Sequence, residues 1–388
     1  MQIDLPSLES LRASINDAFL ADETATIERL LPLAALDAHQ TARIATTAAR
    51  LVNAVRLQQR GRIGIESFLQ EFKLSSQEGV LLMCIAEALL RIPDTATRQK
   101  LIRDKFAQGD WEKHLGQSES LLINASTWGL MLTGRMVALD DEMPADATTN
   151  LKRLITTCGA EVVRLALSRA MGILAGQFVI GRNIEAALQK SRSGGHARYR
   201  YSFDMLGEAA LTRTAAQNYF AAYVHAIAAA GKAEPGEHDA VDAPGISVKL
   251  SALHPRYEYS QRDRAVPRLA ERLADLALQA CMAKVALTVD AEESERLDLS
   301  LEIFARVFGD PRLAAYQGLG IAVQAYQKRA LPVIDWLVAL ARSQNKRIAL
   351  RLVKGAYWDS EIKRAQAQGL GDYPVFTRKL GTDVSYLA

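Results

Sequence analysis

Six short apolar runs alternate with longer helical stretches through the second half of the chain, and this alternation constrains the fold more than any other feature. The runs are Phe178–Gly181, Tyr201–Leu206, Ile246–Leu250, Val285–Asp290, Ile321–Tyr326 and Arg347–Val353. A helix-length connection between strands allows parallel pairing, which a tight hairpin does not. The number of repeats favours a (β/α)8 TIM-type barrel over an open doubly wound sheet. Lys249, Asp290, Gln324 and Arg351 each fall at or near the end of a different run. In a barrel those strand ends converge on one face, where active sites are built, whereas an open sheet would spread them along an edge.

The first part of the chain reads as helical. Ser75 and Glu78 form a capping box ahead of Leu81, Leu82, Cys84, Ile85, Ala88 and Leu89, and Pro93 closes that segment. Residues 38–58 and 97–107 have helical periodicity, Asp140–Thr149 reads as a linker, and a long helix is expected over Leu151–Leu174. The expected organisation is a helical arm and helical domain over 1–140, a linker and lead-in helix over 141–176, and the barrel over 177–388. The overall expectation is an α/β chain whose barrel is incomplete, with about six of eight strands present.

Bulk properties exclude several classes. Residues are 49% hydrophobic and 23% charged, as in ordinary globular proteins, and the net charge of +3 comes without a concentrated basic stripe. Three widely separated cysteines argue against a disulfide framework or a cysteine-rich zinc site. The uncharged stretch Thr214–Gly231 is interrupted by Gln217, Asn218 and His225, which favours a buried helix over a membrane span. There is no Walker loop, no G-x-G-x-x-G after a strand, no H-E-x-x-H and no G-x-S-x-G, and the six histidines lack metal-ligand spacing.

Five long segments in order carry a specific resemblance: Tyr201–Thr212, Ile246–Tyr257, Asp290–Leu297, Val323–Arg329 and Arg351–Arg364, continued by Tyr373–Lys379 and Thr382–Leu387. They resemble the proline dehydrogenase barrel of bacterial bifunctional proline-utilisation proteins, with similarity from about residue 60 to 388. The resemblance implies an FAD enzyme that oxidises L-proline to Δ1-pyrroline-5-carboxylate and passes electrons to a membrane quinone. It places Arg351, Gln324, Lys354, Gly355, Ala356 and Trp358 at the flavin, with Asp290 beside them. Lys249, Ala356 and Tyr357 face the substrate, Asp290 is the acid beside Lys249, and Glu208 is a gate carboxylate. Lys249, Asp290, Arg351 and Tyr357 are thus the expected catalytic group, with no metal.

The family also implies a cytoplasmic enzyme in peripheral contact with the inner face of the cell membrane, a homo-oligomer at full length. Its NAD-dependent aldehyde dehydrogenase half lies outside this sequence. So do two barrel strands and an Arg-Arg pair that clamps the substrate carboxylate, so the chain alone is expected to be weakly active or inactive. The N-terminus lacks a basic strand-helix-helix pattern, from which no nucleic-acid binding is expected.

Structural alternatives remain open on the residues themselves. Lys249 and Asp290 could form a buried structural ion pair, and Arg351 could pair with Glu292 or Asp290. Gln324 could satisfy strand-end backbone groups, Lys354 could be a surface lysine, and Tyr357 and Trp358 could be core aromatics. A non-catalytic scaffold with this fold, or a lyase using Lys249 as a Schiff-base amine, are the competing functions.

Overall fold

The computed structural model describes residues 7–59, 179–205, 207–233, 239–240 and 242–388. They divide into two compact units, one formed by the described residues up to Asp37 together with those from Asn183 onward, and the other by the described residues within Ala38–Arg182.

The first unit is built on a five-stranded parallel sheet in sequence order: β1 (Ser202–Asp204), β2 (Gly245–Val248), β3 (Leu287–Val289), β4 (Leu319–Gln324) and β5 (Ala349–Val353). The sheet forms a half-barrel, as an incomplete (β/α)8 fold requires. Phe203 aligns with Ile246, Ile246 with Leu287, Leu287 with Leu319, and Ile321 with Leu350. Every residue of β2, β3 and β4 is buried. That is why these runs read as continuous apolar stretches: parallel strands are covered on both faces.

Two arm helices, α1 (Leu8–Asp17) and α2 (Glu23–Ala34), belong to this unit; α3 (Ala38–Gln59) is the described helix of the other, where the sequence anticipates one. The arm helices are capped by Ser7, which accepts from the Ser10 amide at 3.1 Å, and by Asp22, which accepts from the Ala25 amide at 2.7 Å. Around the sheet follow α4 (Ile184–Ser191), α5 (Arg213–Ala233), the single turn α6 (Leu250–Leu253), α7 (Arg262–Met282), α8 (Leu297–Phe308), α9 (Ala330–Ser343), α10 (Trp358–Ala367) and α11 (Lys379–Leu387). In α7 the buried set Val266, Leu269, Leu273, Leu276, Ala277 and Ala280 follows the three-to-four-residue spacing of one helix face. α5 covers the uncharged stretch around Tyr223 and buries that side chain completely, and no described helix is long and apolar enough to cross a membrane.

One expected strand is not found among the described residues. Val179–Gly181 is irregular, and among the described residues β1 is the sheet's first strand. Two residues beyond Gly181, the Asn183 side chain accepts from the Ala186 amide at 2.9 Å and starts α4. Among the described residues the sheet has five strands where six were expected, and Phe178 of the first run lies outside them. The capping box at Ser75, the helices expected over 97–107 and 151–174, and the linker at 140–149 lie outside the described residues.

Candidate active site

Strand alternation sets the site. Side chains two residues apart on a strand face the same side, so Ser202 and Asp204 of β1 line up with Ser247 of β2 and Lys249 just beyond it. Asp290 follows β3, and Arg351 lies within β5. These six residues form one polar lattice at the carboxyl ends of the strands. The Lys249 ammonium donates to Asp204 Oδ2 at 2.8 Å and to Asp290 Oδ2 at 3.1 Å. Arg351 Nη1 donates to Asp290 Oδ1 at 3.0 Å and to Ser247 Oγ at 2.8 Å, while Nη2 donates to Ser202 Oγ at 2.7 Å. Asp290 thus gives one oxygen to each cation, which settles the alternatives for Arg351 in favour of Asp290 over Glu292.

The lattice is dry at its base and open at its top. The Lys249 side chain is 9% exposed and that of Asp290 15%, against 46% for Asp204 and 36% for Arg351. Burial disfavours the Lys249 ammonium, but the Asp204 hydrogen bond and the Asp290 charge outweigh it, and the lysine pKa is raised. Burial also raises the Asp290 carboxyl against the opposing pull of Lys249. Below the lattice, the hydroxyl of buried Tyr223 accepts from the Lys249 amide at 3.2 Å. A protonated lysine tied to two carboxylates is a poor Schiff-base nucleophile, which weighs against the lyase reading.

A second group brings β4 to the loop after β5. The Gln324 amide nitrogen donates to the Glu292 carbonyl at 2.8 Å, and its oxygen accepts from the Ala356 amide at 3.1 Å. Gly355 has φ +144°, and a Cβ placed there would lie 2.4 Å from Tyr326 Cγ. Both facts demand glycine. Gly355→Ala is expected to destabilise the chain by at least about 2 kcal/mol, since a strained backbone and an aromatic clash add. An unchanged urea midpoint would refute this reading.

The remaining expected residues are more dispersed. The Tyr357 hydroxyl donates to Glu208 Oε2 at 3.3 Å. Glu208 sits between Gly207 at φ +115° and Ala209 at φ +53°, a left-handed alanine held by its amide's bond to Ser251 Oγ at 3.1 Å. Trp358 is 43% exposed, and its indole nitrogen donates to the Phe376 carbonyl at 2.9 Å. Lys354 is half exposed, pairs with Asp383 and lies over the Tyr386 ring.

Lys249, Asp290 and Arg351 therefore meet directly, and Gln324 and Ala356 meet beside Gly355. Asp204, Ser202, Ser247, Tyr223 and Asp383 are additions that sequence reasoning missed. Polar residues at every second position of otherwise apolar β1 and β2 were a readable signal for Ser202, Asp204 and Ser247. Asp383 carried none.

Charged and polar groups carried by all five strands, gathered at the carboxyl end of a parallel half-barrel, have the arrangement of the active face of a β/α-barrel enzyme. The chain belongs to the proline dehydrogenase family, whose model matches residues 187–388. A model described as the proline utilization A proline dehydrogenase N-terminal domain matches 9–56, and one described as the DNA-binding domain of proline dehydrogenase matches 64–178. The expectation of no nucleic-acid binding gains no support from that last match. The chain is 48% identical over 380 residues to the bifunctional protein PutA of Escherichia coli K12, covering 97% of this chain and 29% of that protein. It is 46% identical over 378 residues to PutA of Rhizobium meliloti, covering 97% and 30%. The chain thus spans less than a third of the length of these curated relatives. The crystal structure of a Bradyrhizobium japonicum PutA mutant matches with TM-score 0.66 and 44% identity over 95% of this chain and 36% of that one. PutA of Bdellovibrio bacteriovorus, at 20% identity and TM-score 0.57, shares the fold over 89% of this chain and 32% of its own.

Proposed function

We propose that this chain forms part of an FAD-dependent enzyme that oxidises L-proline to Δ1-pyrroline-5-carboxylate and delivers the electrons to a membrane quinone. The observation that carries the reading is the Lys249–Asp290–Arg351 lattice at converging strand ends in a proline dehydrogenase family chain. The residues fit a flavin. Gly355, at φ +144°, gives the loop a backbone turn that other residues rarely adopt, and the cation Lys354 beside it supplies positive charge of the kind an anionic cofactor needs. Bound flavin would supply the hydride acceptor.

In this reading Lys354, Gly355 and Ala356 hold the cofactor's phosphate side, and Gln324 and Trp358 border its ring. Arg351 holds positive charge beside the ring, kept in place by Asp290, Ser247 and Ser202. Lys249, fixed by Asp204 and Asp290, binds the proline carboxylate. Tyr357 packs against the substrate ring and keeps out larger amino acids. Glu208, bonded to Tyr357, is the mobile gate that shields the reaction from water. The enzyme works in the cytoplasm as a homo-oligomer, in peripheral contact with the membrane.

The test uses the purified protein containing this chain. Flavin absorbance and L-proline-dependent dye reduction are expected together. Protein without flavin colour and without proline-dependent reduction sinks the proposal. A coloured protein that proline does not reduce favours the non-catalytic scaffold.

A further inference from the structure

The arm helix α2 reaches the side of the active face where Lys354 and Trp358 lie. Glu23, in its first turn, is not needed to cap its own helix, because Asp22 does that. It turns outward instead. Its two carboxylate oxygens accept from the Thr377 amide at 3.0 and 3.1 Å, and one of them accepts from the Thr377 hydroxyl at 3.2 Å. Thr377 immediately precedes Arg378, the N-cap residue of α11, which makes no side-chain capping bond. An acid from another helix thus occupies the position that the N-terminus of α11 favours for negative charge. Behind it, α2 lies along α11: Leu30 and Thr26 are buried, and a Cβ on Gly381 would meet Ile27 Cδ1 at 3.2 Å.

The segment that Glu23 grips carries contacts onward at two points. Asp383 of α11 accepts from Lys354 and, at 2.6 Å, from Lys379. The Phe376 carbonyl accepts from the Trp358 indole, and the Phe376 amide donates to the Tyr326 carbonyl at 2.8 Å. Lys354 and Trp358 frame Gly355, the loop's one position that admits no side chain. Neither has another charged or indole partner on its own loop; Lys354 is held by Asp383 and the Tyr386 ring of α11, and Trp358 by Phe376.

We infer that Glu23 is a positioning residue of the active face: by clamping Thr377 it fixes α11, and through Asp383 and Phe376 it fixes Lys354 and Trp358. The cofactor part of this inference rests on the proposed flavin reading; the mechanical part does not. Charge-assisted bonds to exposed amides are modest, so the effect is severalfold rather than total.

The test is made on the full chain. In Glu23→Ala, amide exchange at 377–387 and at 354–358 is expected to speed about fivefold without ligand, and the affinity for added FAD, read by fluorescence titration, to fall by a similar factor. Glu23→Gln, which keeps one acceptor oxygen, should recover about half of both effects, with the global urea midpoint unchanged. Faster exchange at 377–387 with none at 354–358 would end the strap at α11 and overturn the inference, as would unchanged exchange at both. Coupled exchange in a chain that binds no FAD would leave the link from Glu23 to Lys354 standing and defeat the flavin reading instead.

Discussion

Lys249→Met is expected to lower the unfolding free energy by about 3 kcal/mol at neutral pH, the low end of the penalty for stripping one partner from a buried ion pair. The low end applies because Asp204 is nearly half exposed and can be rehydrated, whereas Asp290 cannot. The pH dependence has a definite sense. Lysine pKa is raised by folding, so its contribution is fully present below its ordinary value of 10.5 and fades only as pH climbs through the folded value. Asp290, an acid whose pKa is also raised, favours the fold only where it is protonated, below its ordinary 3.8, and that benefit is lost as pH rises through its folded value. Removing the ammonium pushes this carboxyl higher still. The variant's deficit should therefore be greatest near neutrality and shrink toward both pH 4 and the far alkaline end. Urea titrations across that range measure it; a deficit below about 0.5 kcal/mol at pH 7 would mean that water, not Lys249, satisfies the carboxylates.

Arg351→Met carries the largest expected effect on catalysis under the proposed function. A fixed cation that favours the negatively charged product of electron transfer contributes on the scale of one preorganised donor, so proline-dependent flavin reduction should slow about 100-fold. The flavin's reduction potential should fall at the same time, because an electron-accepting ring without a neighbouring positive charge is harder to reduce. Asp290 keeps its bond to Lys249 and the two serines keep each other at 3.2 Å, so the fold should survive the change. A folded, flavin-loaded variant with unaltered potential would assign Arg351 to holding Asp290 and nothing more.

Much of the strand order, and the convergence of the polar strand ends, was legible in the sequence. The runs ending near Lys249, Asp290, Gln324 and Arg351 do become strands, and their carboxyl ends do converge, because parallel strands leave a barrel on one face whatever the loops between them contain. The same logic over-reached at Phe178–Gly181. An apolar run is necessary for a buried strand but not sufficient, and the described part of this one, Val179–Gly181, is irregular.

What the sequence determined by itself was the class of fold and the family, since both depend on period and order along one dimension. Tertiary structure alone decided who holds whom. Asp204 shares Lys249 with Asp290 across 45 and 41 residues of chain, and Glu23 grips Thr377 across 354. Such pairs have no spacing rule, because the separation that matters to a charge or a hydrogen bond is the few ångströms left after packing, and that distance exists only once the helices have buried their apolar faces against the sheet.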